Sequence, residues 1–480
     1  MIEKPHFSKQ DAWLKASPCL IFVFCVLYGI VSEKIPDDGH RGFFFSQLGR
    51  WVRDLDLLWQ FQIDSYALKH IAPAAILYLA LKVLAVNPTD SNIILGFIIE
   101  QSVCYAAISY LWLEISKHLH LSIQAQFLGM VTLIFNVILK VTMFMPISRE
   151  VFPQVLSLLM FYAWITHNIR TQLISLALLI FTSPQGLITG LILFVFQHKP
   201  LNKNNTKLLT LWRSPPPYAW MLLLIPVSWL MYRYDPVFLE KFLLTVKPNT
   251  ALLAQFLAFS FITILSYYTI RTYPLTKLFL ELNIATLFRL AVAICIVIVG
   301  NKLQLFFASH EEMAAFTSPL NLLKIYFWIN ASYYPGLFFV LLVINFGPMI
   351  LLAVHYLKNF LDILSQYGFA LIFIFVWTFF RVIEGEPRHL VDVMPILWPF
   401  LIKSIDTHLN KRNVLFLVFA SLFFSRIWLN LTYNYPELFF WYNYTCSLTG
   451  FIVQSLLVIL TFFIIFITFP RTSAHQLSKE

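Results

Sequence analysis

Two adjacent aspartates, Asp37 and Asp38, stand in the run IPDDGH at 35–40, just after an apolar stretch. A carboxylate held against apolar surface beside a second carboxylate has its pKa raised toward the range where it can take a proton from a hydroxyl. The pair suits a general base, with Asp38 marginally preferred. It suits equally well the blander work of capping a helix and balancing nearby arginines, and two adjacent acids can also hold Mg2+ or Mn2+ through waters. His40 and Arg41 follow at once. A second charged group, RVIEGEPRHLVDVMPIL at 381–397, carries Glu384, Glu386, Arg388 and His389, then Asp392 and Pro395. The planar fork of arginine matches a phosphate bidentately, and cations on a departing oxygen stabilise it. Arg388, His389, Arg41 and His40 are therefore candidates for binding an anionic group. Glu384, Glu386, Asp54 and Asp56 are supporting candidates; DLD at 54–56 is the weaker pair, since helix positions two apart do not share a face. The blander account of the second group is a turn with internal salt bridges.

The elements that must carry these residues follow from composition. Of 480 residues, 59% are hydrophobic and 12% charged, against roughly 25% charged in a soluble domain. That excludes soluble globular, disordered, collagen-like and disulfide-stapled classes. A span needs about 20 apolar residues, and hydropathy marks apolar stretches near 17–33, 70–87, 93–113, 121–140, 152–167, 171–197, 217–233, 251–270, 283–300, 330–357, 367–383, 390–405, 413–430 and 448–469. Region 93–200 can accommodate one span more or fewer. Ten-residue alternation is missing, so helices rather than a barrel are expected. The fold class expected is an all-α polytopic membrane protein of about 12–14 transmembrane helices, with 1–480 forming a single integral-membrane domain. The first stretch, with a basic flank and no convincing cleavage signal, is expected to be a retained span rather than a signal peptide.

Sidedness follows from basic residues in short loops. The segment 198–216, with Lys199, Lys203, Lys207 and Arg213 and no acid, is expected in the cytosol. The first outside loop is then 34–69, joined on that face by 235–250, 301–329, 384–389 and 431–447. Within 34–69, Phe44, Leu48, Trp51, Val52, Leu55, Leu58 and Trp59 recur at helical spacing among charged residues, which predicts an interfacial helix anchored by tryptophans. The net charge of +10 is explained by topology signals and headgroup contacts, so nucleic acid is not an expected partner and membrane lipids are.

An acidic pair directly after the first span, followed by in-plane helices, resembles the GT-C class of membrane glycosyltransferases. The loop at 381–397 resembles in part the HKExRF element of the mannosyltransferases in that class, with His389 in place of the aromatic and the leading His-Lys missing. The resemblance implies a GT-C-like fold, a polyprenyl- or dolichyl-phosphate sugar as donor, and a glycan, lipid or protein acceptor. It implies Asp38 or Asp37 as base, Arg388, His389, Arg41 and His40 as the groups that bind the donor phosphate as it leaves, a single inverting displacement, and no required cofactor, with Mg2+ or Mn2+ compatible at Asp37 and Asp38. The setting implied is a bacterial inner membrane with the site facing the periplasm, or an endoplasmic reticulum membrane with the site facing the lumen.

Other chemistries lack residues to carry them. HEEM at 310–313 has no second histidine for a zinc protease, no GxGxxG or GxxxxGK[ST] occurs, and Cys19, Cys25, Cys104, Cys295 and Cys446 are scattered without a CxxC. Glu100, Arg289, His355 and Arg381 lie in or near apolar stretches, where helix-to-helix pairing or snorkelling is the first explanation. Two alternatives remain: a transporter or flippase of lipid-linked saccharides, and a polysaccharide polymerase or ligase.

Overall fold

The computed structural model describes residues 9–32, 51–60, 63, 68–144, 150–197, 248–273, 281–308, 334–383, 390–428 and 448–469. These residues are mostly helical and contain no strand; one isolated bridge joins Ile63 to Ala308. The helices are α1 (Lys9–Val31), α2 (Ala72–Val83), α3 (Asp90–His118), α4 (Ile123–Ile134), α5 (Val137–Phe144), α6 (Val151–Ile165), α7 (Ile169–Ile180), α8 (Pro184–Val195), α9 (Pro248–Thr272) and α10 (Ile284–Phe307). They continue with α11 (Leu337–Phe346), α12 (Met349–His355), α13 (Leu357–Tyr367), α14 (Phe369–Ile383), α15 (Met394–Ile405), α16 (Lys411–Ser425) and α17 (Leu448–Thr468). Local chemistry sets many of the starts. Thr89, Ser122, Ser183, Asn283 and Asn410 each accept a backbone N–H of the first turn, filling one of the donors that a helix start leaves open.

Contacts sort the elements into a bundle with two ends. At one, Tyr28 donates to the Ile427 carbonyl (3.1 Å), Gly29 lies against Ile98 and Met143, Trp59 meets Phe307 edge-on, Gln304 donates to the Ile180 carbonyl (2.6 Å), and Tyr334 stacks on Phe451. At the other, Ser122 donates to Asp406, Lys403 to the Leu119 carbonyl (2.9 Å), Trp164 to the Phe196 carbonyl (2.9 Å), His355 to the Phe469 carbonyl (2.7 Å), and the Phe369 N–H to Glu281 (3.0 Å). We call these the Tyr28 end and the Asp406 end. Helix α13 has both termini at the Asp406 end, where Tyr356 stacks on His408 and the Phe369 N–H donates to Glu281. It buries Phe360, Leu361 and Leu364 and exposes Lys358 and Asn359, the pattern of a helix lying across the bundle rather than along it. Burial pushes the Tyr273 hydroxyl well above its ordinary range at this end, and the Glu281 carboxylate that accepts its proton adds to this.

Two expectations from hydropathy are corrected. Stretch 70–87 does not run from end to end. It forms the twelve-residue α2, and the chain doubles back through Ala85 at φ 54° so that α2 packs antiparallel on the first turns of α3. A methyl group at Gly96 would meet Leu77 at 2.5 Å, and Arg53 pairs with Asp90, so the described residues of 51–90 stay at the Tyr28 end. Stretch 171–197 is not one span either. Ser183 and Pro184 stop and restart the helix, and α7 and α8 form a hairpin in which Gly190 lies against Leu176 and Leu179. One pass is lost and one gained, so Gln197 reaches the Asp406 end just as a single uninterrupted count predicts.

Among the described residues, Ala12–Val31, Asp90–His118, Ile284–Phe307 and Leu448–Thr468 are long and apolar enough to cross a membrane; Ile123–Ile134 and Val137–Met143 add a fifth if the pair, bent by 44°, is one span. The bend falls at Asn136, whose Oδ1 accepts from the Ile138 and Leu139 N–H groups and starts α5 afresh. The 29 residues of α3 extend about 43 Å at 1.5 Å per residue. Because α1 ends beside Ile98, the start of α3 and the turn at 84–89 stand beyond it. The core is aromatic. Trp112, Trp164 and Trp398 are fully buried, and their indole N–H groups donate to the Gln126 carbonyl, the Phe196 carbonyl and the Thr132 hydroxyl, the usual arrangement for a buried indole. Large apolar side chains on α10 and α17, such as Ile284, Phe288, Phe463 and Ile467, face outward.

Candidate functional site at the Tyr28 end

Of the residues singled out from sequence, Asp37, Asp38, His40, Arg41, Glu384, Glu386, Arg388 and His389 lie outside the described residues. Any Mg2+ or Mn2+ held by Asp37 and Asp38 belongs to the same segment. Their flanks are described. Segment 33–50 begins after Ser32 and ends at Trp51, and segment 384–389 begins after α14 and ends at Leu390; all four flanks are at the Tyr28 end.

Asp54 and Asp56 are described, and both are exposed. Asp54 accepts the Asp56 N–H (3.1 Å) and caps a short 3-10 turn at Leu55–Leu58. This interrupts the interfacial helix expected through 44–59: residues 51–53 are helical, but Asp54 leaves the helix at φ −144°. An aspartate that bonds its own downstream backbone competes with helix continuation. The one-sided burial survives the break, since Trp51 and Val52 are buried and Leu55 and Leu58 half-buried.

Around these flanks the structure assembles polar groups that pattern reading did not pair. Asp392, 2% exposed, accepts the Ser183 hydroxyl at 2.7 Å. Ser183 at the same time accepts the Gly186 N–H (3.1 Å) as the cap of α8. Arg381, also buried, ends α14 on the other side of segment 384–389. His70 Nδ1–H donates to the Thr182 carbonyl (2.8 Å), fixing the chain between the 3-10 turn and α2 onto the α7–α8 turn. Next to the Tyr28–Ile427 bond, Lys140 and Arg426 are both buried, and Lys140 Nζ donates to the Arg426 carbonyl (2.6 Å). A lysine and an arginine inside apolar runs were the only sequence signal for this pair. The role of His355, by contrast, is structural, since it bonds Phe469 and packs edge-on against Tyr356 and Phe466. Arg289 is half-exposed on α10. Both carboxylate oxygens of Glu100 are buried without a hydrogen-bond partner among the described residues. Among the described residues no three His, Cys, Asp or Glu side chains gather as a metal site would require.

Compared with protein-family models, curated proteins and solved structures, the chain matches none. The functional reading rests on its own residues.

Proposed function

We propose that the chain is a polytopic membrane protein that transfers a sugar from a polyprenyl-phosphate donor to an acceptor hydroxyl at the Tyr28 end, on the non-cytosolic face. Asp38, with Asp37 beside it, takes the acceptor proton while the hydroxyl attacks the anomeric carbon. The bond to the lipid phosphate breaks, and Arg388, His389, Arg41 and His40 receive the departing anion. One displacement inverts the anomeric centre. The observation that carries this reading is the shared end: segment 33–50, which holds Asp37 and Asp38, and segment 384–389, which holds Arg388 and His389, leave from and return to the same end of the bundle, beside the buried Asp392 and Arg381. Outward apolar faces on α10 and α17 suit a lipid surround, where water would make them aggregation patches.

The test uses purified protein in nanodiscs with radiolabelled polyprenyl-phosphate sugars and membrane extract as acceptor. Release of lipid phosphate by the wild type, abolished by Asp37→Asn or Asp38→Asn, is the expected outcome. Release that persists in both variants sinks the base assignment.

A second reading has its own observations. The break between α4 and α5, and that between α11 and α12 at Gly347 (φ 74°), are interruptions of the kind transporters use to line a substrate path. Saccharide-lipid movement across vesicles without any phosphate release would favour a flippase.

A further inference from the structure

Between α9, α11–α12 and α14–α15 the structure leaves an apolar pocket, about 560 Å³ of empty space with its open side included. Its depth is formed by buried side chains such as Leu342, Phe375 and Trp398, and its wall toward the Asp406 end includes Leu357 and Phe360 of the crossing helix α13. The lining runs across the α11–α12 break, with Leu342 before Gly347 and Ile350 after it. Two polar groups line the pocket, and both are spent elsewhere. The Thr378 hydroxyl donates to the Ile374 carbonyl of its own helix (2.7 Å), and the Trp398 N–H donates to Thr132 (3.0 Å). Walls that offer nothing to water leave a pocket dry, and space left empty there forfeits packing contacts. The rim is Phe261, midway along α9, with Phe339 of α11 and Ala353 and Val354 of α12, all half-buried or exposed. The opening therefore lies between helices, on the side of the bundle, rather than at either end.

We propose that this pocket binds one acyl chain of an anionic phospholipid from the leaflet at the Asp406 end. Leu257 and Tyr268 on α9, exposed like Val354, continue the rim outward, so what reaches the mouth is hydrocarbon. From Met394 to Leu401 the lining advances seven residues along α15, about 10 Å at 1.5 Å per residue. That is a good part of the roughly 15 Å that half of a bilayer's hydrocarbon core spans. The headgroup follows from charge. Lys358 comes directly after Leu357 of the lining, and Arg271 is in the last turn of α9, whose Phe261 and Leu265 line the pocket; both cations are exposed at the Asp406 end. Of the acids nearby, Asp362, one turn along α13, is half-buried, and Glu281 is held by the Tyr273 hydroxyl and the Phe369 N–H. An anionic headgroup complements the two exposed cations. The inference rests on the membrane part of the proposed function and not on sugar transfer.

The assay therefore contains no sugar. Wild type, Lys358→Gln and Ala353→Trp, which puts an indole in the mouth, are placed in phosphatidylcholine nanodiscs containing phosphatidylglycerol with a photoreactive group on its acyl chain. Adducts are mapped by peptide mass spectrometry, and retained lipid is counted by native mass spectrometry. In the wild type, adducts should concentrate on 339–354 and 394–401 over the outward faces of α10 and α17, and Ala353→Trp should lose them. Lys358→Gln should keep them, but its ratio of retained phosphatidylglycerol to phosphatidylcholine should fall roughly fivefold, one interfacial charge being worth about that factor. Wild-type adducts no denser in the pocket than on α10 and α17 overturn the proposal without recourse to any variant. An unchanged ratio in Lys358→Gln overturns the anionic headgroup. Other occupants have their own signatures: displacement of the photoreactive lipid by an equal amount of polyprenyl phosphate would assign the pocket to a donor tail, and disulfide-linked dimers of Ala353→Cys would assign it to a second copy. Either result overturns the phospholipid. A chain that does not enter nanodiscs would fail the membrane reading itself, and the pocket assignment with it.

Discussion

Ser183 Oγ and Asp392 Oδ2 lie 2.7 Å apart across 209 residues of chain. The bond ties the α7–α8 hairpin to the start of α15. Because Ser183 also caps α8, one hydroxyl serves both a helix start and a buried carboxylate. It fixes the far side of segment 384–389, whose charged residues the proposed reaction uses.

Ser183→Ala removes both bonds, one of them to a buried acid. A lost cap costs about 1 kcal/mol and a lost hydrogen bond to a charged group about 1.5–3 kcal/mol, so the variant should be destabilised by roughly 2–4 kcal/mol in a detergent denaturation series. Ser183→Thr keeps the hydroxyl and should recover most of this. An unchanged midpoint for the alanine variant would show that the bond is not formed in solution.

Gly129 of α4 faces the Trp112 ring of α3. A methyl group there would lie 2.0 Å from the Trp112 ring, and the ring is held by its bond to the Gln126 carbonyl (2.8 Å). A fully buried indole cannot swing aside, so Gly129→Ala should cost about 1–3 kcal/mol of overpacking, read as a lowered melting temperature. Gly336 has open space around its Cβ position, so there any cost of alanine arises only from its φ of 77°.

The doubling back at 84–89 predicts topology. In a cysteine-free background, Asn87→Cys and Ser32→Cys should react with an impermeant maleimide from the same side of a sealed vesicle, and His120→Cys from the opposite side. Opposite-side labelling of the first two would restore a crossing at 70–87.

His408 sits in the turn after α15, stacked on Tyr356, and burial lowers its pKa below the ordinary histidine value. The unfolded chain therefore binds the proton more readily than the folded one. Stability is complete above about pH 6.5 and falls as pH drops through that value. His408→Gln, which cannot charge, should flatten the melting temperature between pH 7 and pH 5; a slope equal to that of the wild type would assign the dependence to other groups.

The helical character of the chain is legible in the sequence because apolar residues dominate without strand-like alternation. The starts at Thr89, Ser122 and Asn410 are legible as cap residues. Hydropathy windows do not show where the chain reverses. At 181–183 the signal Phe-Thr-Ser, with Pro184 after it, is short and is averaged away by apolar neighbours. At 84–89 the reversal depends on which partner α2 packs against, a long-range fact. For the site, the acids and cations worth attention stand out by type, and Asp392 is conspicuous beside Pro395, but its partner Ser183 is far away in sequence. Lys140 and Arg426 escape a pattern reading because each is a single charge in an apolar run, and only packing brings them together.

The turn at 84–89 offers a practical handle. Residues 82–90 are exposed, and α3 continues from them as a 29-residue rod buttressed by α1 and α2. A helical fusion partner joined so that its last turn runs directly into Asp90, in place of the Thr89 cap, would inherit that rod's direction instead of swinging on a tether. For a particle with no soluble domain among its described residues, this would supply the orientation marker that image alignment needs, at the end where the proposed chemistry occurs.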